Sequence, residues 1–139
     1  MYLLGEQPAY ADQLMNRLQG IPAQLLEGLE PAGPLLTFDQ IDDLSQMVPS
    51  NQLFLIKDGL LHAQVDDRPL FYLQEGDLVG LRQGLELPSW RYSSDEPVSL
   101  QPYARSDAFK HIHASEERQE LFTQYLIGHT ALLSDALAR

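Results

Sequence analysis

The stretch Leu53-Phe54-Leu55-Ile56-Lys57-Asp58-Gly59, answered one hairpin later by Gly76-Asp77-Leu78-Val79-Gly80-Leu81, decides how this chain reads. Four consecutive apolar residues running into a charged pair and a glycine have the length and punctuation of a buried strand ending in a turn. Between the two stretches, Leu60-Leu61-His62-Ala63-Gln64-Val65 and Leu70-Phe71-Tyr72-Leu73 flank Asp66-Asp67-Arg68-Pro69, a strand-turn-strand pattern. Glu75-Gly76-Asp77 is a further turn, and Gly80 closes the short apolar run that follows it.

Working outward, residues 10–29 read as two short helices. Leu14, Met15 and Leu18 share one face, Gly20 ends the first helix, and Pro22 suits the first turn of the second, whose stripe is Leu25, Leu26 and Leu29. Pro31-Ala32-Gly33-Pro34 breaks the helical pattern. Leu35-Leu36-Thr37-Phe38 is a strand, and Ile41, Leu44 and Met47 or Val48 recur at helical spacing, so a short helix or ordered loop is expected over 39–49. Trp90–Ser93 and Val98–Ala104 are expected to form a hairpin around Asp95-Glu96-Pro97, with Pro102 at an edge or bulge because it cannot donate to a ladder.

From Ser106 onward the pattern is helical. Ser106 is the expected N-cap of a short helix, and Ser115 that of a long one, with Glu116 and Glu117 at the positive end of its dipole. In the long helix Phe122, Leu126, His129, Leu133 and Ala136 make a seam, with Leu121, Tyr125, Gly128 and Leu132 beside it. His129 on that seam reads as a hydrogen-bonded histidine at an interface edge, or a pH-sensitive one if buried. His62 reads as a barrel-wall residue.

Composition bounds the function. The chain has 139 residues, enough for one domain with a real core, and its 44% hydrophobic and 21% charged content is that of a folded protein. Nine basic residues stand against twenty acidic ones, a net charge of −11. Nucleic-acid binding needs clustered Lys and Arg, so this balance excludes it for the chain alone. There is no cysteine, hence no disulfide or thiolate site. The N-terminal residues lack a signal-peptide pattern, and no run approaches a membrane span, so a cytoplasmic protein is expected.

The order of strand, turn glycine, hairpin and Gly76-Asp77-x-x-Gly80 resembles the cyclic-nucleotide-binding domain, the β-roll of catabolite-activator type. The family also opens with a helical segment and a Pro-Ala-Gly-like turn, so the resemblance spans nearly the whole chain. It implies an α+β fold: a mainly antiparallel β-roll or jelly-roll over 34–105, a helical lead-in over 10–30 and C-terminal helices over 106–139, one domain from 1 to 139. The 39–49 segment is a departure, since the family makes a Gly-Asp hairpin turn there. The resemblance further implies a phosphate-binding cassette at Gly80, Leu81, Arg82, Ser89 and Arg91. In ligand-competent members the residue after the glycine is a glutamate that holds the ribose, and an arginine about eight residues on pairs with the phosphate. Here Leu81 and Ser89 stand at those positions. Arg91, two residues along a strand and so on the same face as Ser89, and Arg82 are the substitutes. The cassette is therefore degenerate, and cyclic AMP binding in the usual manner is not expected. No cofactor and no metal are expected.

Three readings follow. The first is a non-enzymatic regulatory or interaction module without a DNA-binding unit, forming a homodimer through its C-terminal helix or binding another protein. The second is a sensor of a small ligand or cyclic nucleotide with an altered pocket. The third is a cupin-like metalloenzyme using His111-Ile112-His113 and Glu117, disfavoured because residues two apart on a helix point about 200° apart. Neither a Gly-x-Ser-x-Gly elbow, a phosphate loop nor a calcium loop is present; Asp39, Asp42 and Asp43 read as a solvated face.

Overall fold

The computed structural model describes residues 2–3, 9–80 and 90–138. Among them, eight strands form two four-stranded antiparallel sheets. The strands are β1 (Tyr2–Leu3), β2 (Leu36–Phe38), β3 (Gln52–Asp58), β4 (Leu61–Val65), β5 (Arg68–Leu73), β6 (Leu78–Val79), β7 (Trp90–Ser93) and β8 (Val98–Ala104). One sheet runs β1-β5-β4-β7, the other β2-β8-β3-β6. Helices α1 (Ala9–Leu18) and α2 (Ile21–Leu26) precede the sheets, and α3 (Arg105–His113) and α4 (Glu116–Leu137) follow.

The continuous apolar run in β3 has a physical cause: the strand is covered on both faces. Phe54 and Ile56 enter the core between the sheets with Leu61, Ala63, Phe71, Leu73, Val79 and Leu100. Leu53 and Leu55, on the opposite face, pack with Leu26, Leu78, Tyr103 and Ala108, beneath α2 and α3. Each such aliphatic or aromatic side chain contributes about 1.5–3 kcal/mol on burial. Burial also pushes the Tyr103 phenol above its ordinary pKa, because the low-dielectric surroundings disfavour the phenolate.

The turns follow the local chemistry. Asp66 and Asp67 both take positive φ, 51° and 62°, the conformation that joins two strands by a tight hairpin, and Arg68 and Pro69 already belong to β5. The Gln74–Asp77 turn is closed by its own aspartate, whose Oδ2 accepts from the Gln74 amide at 2.9 Å. Residues 39–49 form an ordered insertion. Ile41 bridges Ser94, and a single 3-10 turn at Leu44–Gln46 is capped by Asp43, which accepts from the Ser45 amide. Pro102 lies beyond the last β8 residue paired with β2, and its carbonyl accepts from the Ala32 amide, so its missing N–H faces a side where no strand needs it.

Three expectations are corrected. Trp90–Ser93 and Val98–Ala104 do not pair with one another: β7 joins β4 in the first sheet and β8 lies between β2 and β3 in the second. Ser94, bridged to Ile41 through backbone bonds of 2.8 Å each way, is where the chain crosses between sheets. Ser106 is not the cap of α3; the helix begins at Arg105, with Ala104 in the cap position and no side-chain cap bond. Ser115 does cap α4, its hydroxyl accepting from the Arg118 amide at 3.3 Å. The third correction concerns α4. Its fully buried stripe is Tyr125, Gly128 and Leu132, while Phe122, Leu126, His129 and Leu133 are half-buried. Gly128 meets this chain's own α1: a Cβ there would stand 2.7 Å from the Leu18 methyls. The long helix thus folds onto α1, α2 and α3.

Candidate functional site

The cassette expected from the sequence begins at Gly80, where β6 ends. The register Phe54–Val79 and Leu55–Leu78 holds β6 on β3. Gly80 has φ +97°, and a Cβ there would lie 3.3 Å from the Gln52 carbonyl and 3.5 Å from the Arg105 guanidinium. Both the left-handed backbone and the close approach of β3 call for glycine. Leu81, Arg82 and Ser89 lie outside the described residues.

Arg91 sits on β7 opposite Gln64 of β4. Its neighbour Tyr92 pairs with Ala63 and packs on the core between the sheets, so alternation turns Arg91 to the outer face. There Arg91 Nη2 donates to Gln64 Oε1 at 2.8 Å and stands 3.7 Å from the carboxylate of Asp67, a residue 91% exposed. The inward reach expected of Arg91 is not made; its guanidinium braces the β4–β7 edge.

Sequence reasoning expected the 39–49 insertion but not that it lines a cleft, and it missed Arg105. Between the 3-10 turn and the two sheets lies a cleft of about 110 Å³. Its apolar walls are Leu44 and Val48 from the insertion, Phe54 from β3 and Tyr92 from β7, and Gly80 and Arg105 line its edge. Arg105 is placed by the start of α3, where its amide donates to the Asn51 carbonyl at 3.0 Å. The helical spacing of Leu44 with Val48 was the available signal, but nothing local tells that these residues cover a gap between sheets.

The histidines do not converge. His111 Nε2 donates to the Glu27 carbonyl at 2.6 Å, tying α3 to the end of α2, whereas His113 is exposed. Among the described residues no group of three histidine, cysteine or acidic side chains is placed to hold a metal ion. His62 stacks obliquely on Tyr72 across the β4–β5 pair, and His129 packs on Tyr125 with ring centroids 4.1 Å apart. Among the described residues no helix is long and apolar enough to cross a membrane.

No family model and no curated protein sequence matches the chain. Solved structures do. The cAMP-bound structure of PfPKA-R aligns over 91% of this chain and 49% of that one, with TM-score 0.55 and 10% identity. PKAR CBD2 bound to Sp-2Cl-cAMPS aligns over 90% of this chain and 92% of that one, with TM-score 0.54 and 11% identity. Oxidized CprK in complex with o-chlorophenolacetic acid gives 0.53 and 12% identity, over 91% and 51% of the respective chains. The chain thus spans about half of PfPKA-R and of CprK and nearly all of the isolated CBD2. At these identities the likeness speaks to architecture alone. Two facing antiparallel sheets, a helical lead-in and paired C-terminal helices give this chain the β-roll fold of the cyclic-nucleotide-binding domains.

Proposed function

We propose that the chain is a non-enzymatic regulatory or interaction module, a single cytoplasmic domain on a cyclic-nucleotide-binding-like roll that has lost the usual grip on cyclic AMP. The observation that carries this is the leucine at position 81, directly after the structurally fixed Gly80. A ribose buried without its carboxylate leaves hydroxyls unpaired, at about 1–3 kcal/mol each. The outward pairing of Arg91 with Gln64 and Asp67 supports the same reading, since that cation is engaged on the other side of the sheet. Calorimetric titration with cyclic AMP and cyclic GMP is expected to give no saturable heat at micromolar nucleotide. Saturable micromolar binding of either would sink the proposal. The cleft beside Gly80 favours, as second reading, a sensor whose pocket takes a different small ligand.

Association through α4 belongs to the same proposal. With Tyr125, Gly128 and Leu132 committed to the chain's own core, the surface left for a partner is Leu126 with Ile127, which is 66% exposed. A two-fold contact covers such a strip twice with one set of residues. Sedimentation equilibrium is expected to give a dimer at tens of micromolar (roughly a micromolar-class Kd) and a monomer for the Leu126→Glu, Ile127→Glu variant. A monomeric wild type, or a variant that stays dimeric, removes the interface.

A further inference from the structure

We propose that the outer edge of β2 docks an extended strand of a partner protein, antiparallel, with alternating apolar and polar side chains and a basic N-terminal flank. This names the partner class for the interaction-module reading above and rests on that reading.

The hydrogen-bond phase of the sheet leaves the edge open. β2 is the end strand of its sheet, with β8 on one side only. The Pro102 carbonyl of β8 points to the β2 side, where it accepts from the Ala32 amide. Alternation along β8 turns Leu100 and Val98 the same way, toward their register partners Leu36 and Phe38. Thr37, between those two, therefore turns its N–H and C=O outward, and Leu35 shares its phase. Among the described residues no backbone group bonds to Leu35 or Thr37 on that side.

The side chains set the pattern. Leu36 and Phe38 pack against the core between the sheets yet stay half-buried. On the outer face Thr37 Oγ1 lies 3.2 Å from Ser99 Oγ, and Leu35 is 47% exposed. A strand laid on this edge covers Leu36 and Phe38 with its inward side chains, so those are apolar, and sets a polar one beside Thr37.

Charge sets the flank. Antiparallel docking, the more stable pairing, brings the partner's N-terminal side to the Asp39 end of β2. Asp39 and Asp42 are exposed there, and the Ile41–Ser94 bridge brings Asp95 and Glu96, also exposed, to the same end. Lys57 lies on β3, two strands in from the edge. These carboxylates, on a chain of net charge −11, favour Lys or Arg in the partner and repel a second copy of this chain. Pro34 precedes the edge, and after Phe38 the chain bends away toward Ile41. A pairing of about five residues suits a linear segment held weakly and reversibly by strand addition.

The probe is the peptide acetyl-Lys-Arg-Lys-Val-Thr-Val-Leu-amide, whose valines face Phe38 and Leu36 and whose threonine faces Thr37. Titrated into the full chain, it is expected to saturate below about 1 mM by calorimetry, with amide shift changes centred on residues 35–39 and 98–100. N-methylation of the peptide threonine, whose amide points at Thr37, should weaken binding roughly tenfold or more. N-methylation of the valine after it, whose amide points away, should leave most of the affinity. Three glutamates in place of Lys-Arg-Lys should prevent saturation, and added salt should weaken the basic peptide. Thr37→Pro removes the outward N–H at the centre of the edge and is expected to lose binding, whereas Thr37→Val keeps it. The proposal is overturned by absence of saturation, by equal weakening from the two methylations, by an acidic peptide that binds as well, by shift changes centred elsewhere, or by a Thr37→Pro variant that binds like wild type. Should Thr37→Pro fail to fold, the methylated pair and the shift map still decide. A dimer that survives Leu126→Glu, Ile127→Glu and is lost on adding Thr37→Pro would make a second copy the occupant and overturn the proposal as well. Saturable cyclic AMP binding would instead overturn the functional reading above, while failure of the peptide alone would leave that reading standing.

Discussion

Gly59→Ala is expected to destabilise the protein by about 3 kcal/mol or more. Gly59 ends the turn after β3 at φ +91°, and a Cβ there would lie 2.5 Å from the Pro97 carbonyl oxygen and 2.9 Å from the Val98 Cα. These are backbone atoms at the start of β8, the strand that pairs with β3 along its length. They cannot rotate away, so relief means pulling two central strands apart. Gly76→Ala is the control. Its φ of +92° imposes the same conformational penalty, about 1 kcal/mol, but a Cβ there meets nothing within 4 Å. Urea unfolding of the two variants separates backbone conformation from contact: a much larger loss for Gly59→Ala, or its failure to fold while Gly76→Ala folds, is the expected result. Equal losses would show that the close approach to β8 carries no weight.

Tyr125→Ala is expected to cost about 3–5 kcal/mol and to loosen α4 before the sheets. Tyr125 is 1% exposed, stacks on His129, and brings its hydroxyl to 3.5 Å from the Leu78 amide in the strand that leads to Gly80. Truncation opens a cavity where α4 meets the roll and removes the ring contact. Tyr125→Phe keeps the ring and loses a long hydrogen bond, so its cost is expected to stay near or below about 1 kcal/mol. Denaturation midpoints give the ratio, and hydrogen exchange gives the location. Tyr125→Ala should raise exchange first in α4 while β3 and β8 remain protected. Uniform loss of protection, or equal costs for the two variants, would contradict this account of α4 docking.

The sequence carried most of the fold because its signals were local. The Leu53–Ile56 run, the turn glycines, the turn opening at Asp66-Asp67, read two residues too long because Arg68 and Pro69 belong to β5, the helix break at Gly20-Ile21-Pro22 and the Ser115 cap each depend on a few neighbouring residues, and the structure places a strand, turn, break or cap at each. What failed was non-local. A strand-turn-strand pattern is the same whether its strands pair or part, and the partners that draw β7 and β8 into different sheets, β4 for one and β2 with β3 for the other, are not visible in that local pattern. Two apolar stripes ran side by side on α4, and the choice between them was made by Leu18, which fills the space that Gly128 leaves open.

For the candidate site the division is sharper. The chain itself determines that leucine follows Gly80 and that serine stands at position 89, because residue identity needs no coordinates. The face on which Arg91 projects depends on the β4–β7 register, in which Ala63 pairs with Tyr92 inside and Gln64 with Arg91 outside. The cleft exists only because a 3-10 turn, two strands from different sheets and the first residue of α3 meet there. Those elements are distant in sequence, and hydrophobic periodicity reports which side of an element is apolar but not which other element comes to cover it. Position along the chain therefore decides which residues follow Gly80, and tertiary packing alone decides which surfaces lie beside it.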